Sequence, residues 1–249
     1  MLIPVDSQLG IFGGDGIGRD REAEEGYSVA LRASFQPYST DNGFSHLGVS
    51  ANYRNNSRAD DREAESVRLR SREGSRAIDA RLIGRNDIEG VDDFYRIALE
   101  GAWGMGPFSL QGEYLYVNLN LDPNLGDVRT DESRISLNGY YLQASYFLTG
   151  EQRNYRAFSG DFGQQEVFNP LGHGGIGAWE IAARYAHADS MEHSRPGRGN
   201  KMDHYTLGLN WYPNSHTVFK FNYMYFDYEG RGGVSNGNQV IALRAQYEF

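Results

Sequence analysis

The chain has 249 residues, no Cys and a formal net charge of −9. That length suits one large all-β domain, the missing Cys excludes disulfides and thiol chemistry, and the acidic balance argues against nucleic acid as a partner. No stretch approaches the roughly 18 apolar residues of a membrane helix, a test that a β-barrel escapes because lumen residues dilute its apolar ones.

Taken in chain order, Met1-Leu2-Ile3-Pro4 carries no basic segment followed by an apolar run. A secreted protein needs one, so the expectation is a chain lacking its signal peptide and N-terminal strands. A first strand is expected near Ile3–Phe12. Gly13-Gly14-Asp15-Gly16-Ile17-Gly18 reads as a surface loop, since no strand-turn-helix context supports a nucleotide loop. Beyond it the dominant period is 2. Tyr27, Val29, Leu31, Ala33 and Phe35 alternate with Ser28, Ala30, Arg32, Ser34 and Gln36. Leu47, Val49, Ala51 and Tyr53 form the next apolar face. Strands near 66–73 and 77–85 follow, the second with weak alternation. Further apolar faces run through Tyr95–Trp103, Phe108–Tyr116, Tyr140–Leu148, Trp179–Tyr185, Tyr205–Trp211 and Phe219–Tyr225. In the last twelve residues, Ile241, Leu243, Ala245, Tyr247 and Phe249 oppose Val240, Ala242, Arg244, Gln246 and Glu248. An apolar, aromatic-tipped outer face over a polar inner one suits a transmembrane barrel.

The connections alternate in length. Gly104–Pro107 and Pro213–His216 are tight turns, while 55–65, 118–135, 189–202 and 229–237 are longer and polar. Outer-membrane barrels place short turns at the periplasm and long loops outside. Counting back from the C-terminus, segment 150–174 becomes a long connection on the periplasmic side. The expected fold class is all-β, a transmembrane antiparallel β-barrel with about twelve strands in this chain, and residues 1–249 form a single domain.

Lumen parity falls on Arg32, Arg54, Arg68, Arg70, Arg72, Arg96, Arg184, Lys220 and Arg244, against Glu100, Glu113, Glu180 and Glu248. The cations are in excess, although the molecule is acidic. Arg68, Arg70 and Arg72 point one way at steps of about 7 Å, and their repulsion would be relieved by passing anions. Guanidinium suits phosphate because its fork donates two parallel hydrogen bonds and never deprotonates. Two readings stand at this point: a path for anions, or arginines that pair with acids on neighbouring strands and stiffen the wall. No cofactor or metal is expected. Asp122, Asn124 and Asp127 lack the Glu that closes a calcium loop. His187, His193, His204 and His216 show no metal spacing and read as surface or rim residues. No nucleophile motif points to an enzyme.

Several stretches resemble the phosphate-selective porin O and P family. They are Ser145–Glu151 with Tyr155, Gly160 and Phe162; Gly177–Tyr185; Tyr205–Asn214; and Gly106–Tyr114. The resemblance covers about residues 26–249 and implies a trimeric outer-membrane porin of about sixteen strands, of which this chain resembles the last two-thirds. It implies uptake of phosphate or other small anionic solutes along an arginine ladder. Arg68, Arg70 and Arg76 look like ladder positions, with Arg72 and Arg81 extra or shifted. The terminal aromatics Tyr247 and Phe249 resemble the signal read by barrel assembly machinery, and outer-membrane lipid is the implied surroundings. The alternative is a barrel that serves as scaffold or adhesin through its loops.

Overall fold

The computed structural model describes residues 5–13, 27–55, 67–70, 84–88, 91–122, 134–172, 174–189, 201–229 and 235–248, with 67–70 and 84–87 described by backbone alone. The elements are β1 (Val5–Gly13), β2 (Tyr27–Phe35), β3 (Ser39–Thr40), β4 (Gly43–Asn55), β5 (Val67–Arg70), β6 (Gly84–Ile88), β7 (Val91–Met105) and β8 (Phe108–Leu121). They continue with β9 (Arg134–Phe147), β10 (Tyr155–Arg156), β11 (Asp161–Phe162), β12 (Ala178–Asp189), β13 (Lys201–Asn214), β14 (Thr217–Glu229) and β15 (Ser235–Tyr247).

One antiparallel sheet runs β1-β2-β4-β7-β8-β9-β12-β13-β14-β15, with β3 paired beside β4. Each strand alternates apolar and polar residues, so one face is greasy and the other polar, as the period-2 pattern requires. On the outer face, Tyr185, Tyr205 and Tyr225 stand directly opposite one another across β12, β13 and β14. Trp179, Trp211 and Phe219 form a second row on the same strands, with neighbouring ring centroids 5.6 and 5.5 Å apart. About 20 Å of strand separates the two rows. Between them lie exposed Ile181, Leu207, Leu209, Phe221 and Tyr223. This is an aromatic-bordered apolar band.

The tight turns form for local reasons. Gly106 takes φ +52, where a side chain would be strained, and its N–H donates to Asn42 O. Asn214 Oδ1 accepts from His216 N at 2.9 Å, an Asx turn. Pro213, which has no N–H to give, sits in the irregularity between Trp211 and Asn214.

The strand order corrects one sequence expectation. β4 pairs directly with β7, Asn55 opposite Asp93, so the two strands expected near 66–73 and 77–85 do not stand between them. β5 and β6 pair with each other in a separate hairpin, and residues 71–83 lie outside the described residues. Ile88, at the end of β6, packs against Val91, Phe94, Leu119, Leu121 and Ile135. Of these, Phe94, Leu119, Leu121 and Ile135 belong to the inner face at the loop end. The wall is therefore apolar there, which also explains why β8 and β9 extend into residues expected as loop.

Candidate functional site

The polar inner face carries three clusters. At the first, Arg32 of β2 gives Nη2 and Nε to Glu100 Oε1 at 2.6 and 3.1 Å, and its Nη1 lies 3.7 Å from Asp6. His46 Nε2 reaches the same Glu100 oxygen at 3.2 Å. Glu100 can fold flat onto the wall because position 48 is Gly; a Cβ there would lie 2.4 Å from its carboxylate oxygen.

The second cluster sits mid-wall. Tyr141 donates to Glu113 Oε1 at 2.6 Å and accepts from Gln111 Nε2 at 3.2 Å. Arg184 Cζ lies 3.7 Å over the Tyr141 ring. Directly opposite Arg184 stand Gln143 on β9 and Thr206 on β13.

The third is at the turn end. Glu180 is 1% exposed and accepts from Arg153 at 3.4 Å, Asn210 at 2.9 Å and Tyr212 at 2.9 Å. Asn210 stands opposite Lys220, and Lys220 opposite Arg244.

The connection from β9 to β12 folds inward onto the first and third of these clusters. Thr149 donates to the buried Glu151 carboxylate, which also accepts from Phe168 N. Tyr155 lies flat on Phe44 of β4, centroids 4.6 Å apart, while its hydroxyl meets His46 Nδ1 at 2.7 Å. Phe162 packs edge-on to both rings, and Arg153 lies over Phe162 at 4.4 Å. Gly160 takes φ +64 against Arg32 and His46, where a Cβ would be 3.1 Å from each. Only glycine fits that turn and that approach. In the hairpin, Arg156 pairs with Asp161, and Arg156 and Ser159 hold the Asp161 carboxyl below the ordinary carboxylate range. Burial pushes the Tyr155 hydroxyl up.

A ladder-built sheet, a greasy outer band, a charged inner face and an inward-folded connection agree with what the comparisons give. The family described as phosphate-selective porin O and P matches residues 6–249. The chain belongs to that family. That family is one of outer-membrane porins. It is 33% identical to Porin O of Pseudomonas aeruginosa over 263 aligned positions, covering 93% of this chain and 56% of that protein. It is also 32% identical to an uncharacterized protein of Caulobacter vibrioides over 209 positions, 82% of this chain and 39% of the other. This porin chain thus spans about half the length of the relatives it matches.

The expected lumen residues fall into groups. Arg32 is spent on Glu100 and Asp6. Arg54 points inward and is engaged by neighbours. Arg96 gives Nη2 and Nε to the neutral Asn52 Oδ1 at 2.8 and 3.3 Å and lies 5.7 Å from the Phe94 ring. Arg184, Lys220 and Arg244 share the inner face, and among the described residues none of these three or Arg96 has a carboxylate within salt-bridge distance. Arg68 and Arg70 are on the β5 backbone, off the wall. Arg72, Arg76, Arg81 and Phe249 lie outside the described residues. Tyr247 ends β15, its ring 6.3 Å from His216. His204, read as a rim residue, instead stacks on inward Phe226 at 4.1 Å. The sequence reading missed His46 and Arg153 because their partners are far away in the chain. Tyr155 and Gly160 were flagged only by the family resemblance.

Proposed function

We propose that this porin is a passive, anion-preferring diffusion channel for phosphate-like or other small anionic solutes. One observation carries the reading: Arg96, Arg184, Lys220 and Arg244 face inward without a carboxylate partner among the described residues. Three of the acids of the same face accept hydrogen bonds from neighbours. Glu100 serves Arg32 and His46, Glu113 serves Tyr141, and Glu180 serves Arg153, Asn210 and Tyr212. An excess of cations over acids on that face would leave a positive field along the wall, a known route to anion selectivity. Arg68, Arg70, Arg72, Arg76 and Arg81 would extend that field toward the loop end. The inward connection 148–177 supplies the narrowing at the turn end, which is the periplasmic end of such a barrel. Bilayer lipid, barrel assembly machinery reading Tyr247 and Phe249, and two further copies in a trimer complete the proposed partners.

Reversal potential in a KCl gradient, across a planar bilayer holding the protein as its gene encodes it, is the test. Anion-over-cation permeability is expected; cation preference would overturn the reading. Neutralising Arg68, Arg70 and Arg72 together should lower anion conductance. Absence of unitary currents would instead favour a loop-presenting scaffold.

A further inference from the structure

The connection from β9 to β12 does not stay on the inner face. Val167 packs inward against the cluster of Phe147, Ala178, Tyr212 and Val218. The next stretch, residues 169–172 and 174–177, lies along the rim against the outward side. Leu171 N donates to Pro213 O at 2.7 Å. Pro213 is two residues past Trp211, so Leu171 sits about 7 Å further toward the turn end than the tryptophan row. The outward Trp211 indole gives its Nε1–H to Ile176 O at 2.9 Å. Gly177 takes φ +77 and approaches β13 so closely that a Cβ would stand 2.4 Å from Tyr212 O. Its N–H donates to Asn169 O at 2.9 Å. These bonds fix the stretch as a flap on the rim.

The side chains of the flap do not suit water. Residues 168–177 contain no Asp, Glu, Lys or Arg, whereas 55–65 at the loop end is dense in them. Leu171 is 53% exposed and Ile176 65%. Leu148, also exposed, continues the outward face of β9 and donates its N–H to Trp179 O at 2.7 Å. An interfacial Trp ordinarily turns its N–H toward the lipid headgroups. Here the flap's own backbone accepts that N–H, so the flap occupies the headgroup level. It goes no deeper, because the polar groups of an irregular backbone find no partners in hydrocarbon. Its apolar side chains are under no such restriction.

We propose that this flap is an interfacial anchor: its backbone lies among phospholipid headgroups at the turn end, and Leu171 and Ile176 dip into the adjoining acyl region. The occupant is phospholipid because the flap continues the aromatic-bordered apolar band, joined to it through the Trp211 indole. Burying both side chains in lipid removes from water the apolar area that the fold leaves open. The proposal rests on the membrane placement of that band and is independent of which ion passes.

The test uses the absence of Cys from this chain. Leu171→Cys, Ile176→Cys and Phe158→Cys each carry one polarity-sensitive fluorophore, in protein reconstituted into phosphatidylcholine vesicles. Circular dichroism reports that each variant has kept its β-sheet. Phe158 is 93% exposed but belongs to the inward hairpin, so its label reports water. Labels at 171 and 176 should emit further to the blue than the label at 158. Lipids brominated near the headgroup should quench them more than lipids brominated near the chain end, and neither should quench the label at 158. Trp211→Phe keeps an aromatic ring in the row and removes the N–H; in that background the label at Ile176→Cys should move back toward the red. If the labels at 171 and 176 match the label at 158, the flap lies in water and the proposal fails. Blue emission that no brominated lipid quenches, with cross-linking of Leu171→Cys between copies, would show a second copy on the flap and overturn the lipid assignment. A channel that prefers cations would leave all these readings unchanged.

Discussion

Glu180 is 1% exposed, and its carboxylate serves Arg153, Asn210 and Tyr212. A buried carboxylate persists only when donors replace the water it has lost. Removing it strands those donors, so Glu180→Leu should destabilise the protein by about 3 kcal/mol, read as a lower urea midpoint in lipid vesicles. Glu180→Gln keeps an acceptor and should cost less. Parity alone put Glu180, Arg184 and Lys220 on the inner face, because side chains alternate with period 2 whatever the neighbours are. Parity could not say which of them are paired. Glu100 takes Arg32 from β2, two strands away, across Gly48 of the intervening β4, and that geometry depends on register and on a missing Cβ rather than on the residues at hand.

At the scale of elements, the β10–β11 hairpin is held to the wall by aromatic stacking and by Tyr155 on His46. Tyr155→Ala should free it, raising single-channel conductance and current noise; Tyr155→Phe keeps the stack and should raise noise alone. Unchanged recordings in both would mean that the hairpin does not limit flow. The hairpin also has a pH dependence. Arg156 and Ser159 hold the Asp161 carboxyl below its ordinary value, so the pairing contributes above the ordinary Asp range and is lost as pH falls through the lowered one. Protease cleavage within 156–161 should therefore increase below about pH 4, and Asp161→Asn should be cleaved readily at neutral pH as well. Sequence reading put segment 150–174 at the same end as the tight turns, as the strand order has it, but gave no direction to it. Its anchors, His46 and Phe44, are over a hundred residues away, and no local pattern encodes such a contact. The β5–β6 hairpin was misread as wall for the opposite reason: Val67-Arg68-Leu69-Arg70 has a strand's alternation, yet alternation says nothing of which strand is the partner.

For the whole molecule, the two faces predict opposite tolerances. Leu207 lies outward between the tyrosine and tryptophan rows, while neighbouring Thr206 lies inward. Leu207→Arg should cost about 2–4 kcal/mol of folding into lipid vesicles, the penalty for a cation at mid-bilayer. Thr206→Arg should leave that folding energy nearly unchanged and increase anion preference. Equal costs would show that the faces have been assigned wrongly. This level was the most legible in the sequence, since every wall strand repeats the same alternation and the errors of one strand are outvoted by the rest.

The inward connection carries a consequence for how the molecule comes together. Tyr155 and Gly160 dock on β2 and β4, while Arg153 is held by Glu180 of β12. The two docking surfaces, on β2–β4 and on β12, come together only when strands far apart in the chain share one sheet, and closing so long a loop is slow. Stopped-flow quenching of a probe at Phe158→Cys should accordingly lag behind strand protection in hydrogen exchange. A nascent wall would enter the membrane wide and leaky, and acquire its waist only after its circumference is laid down.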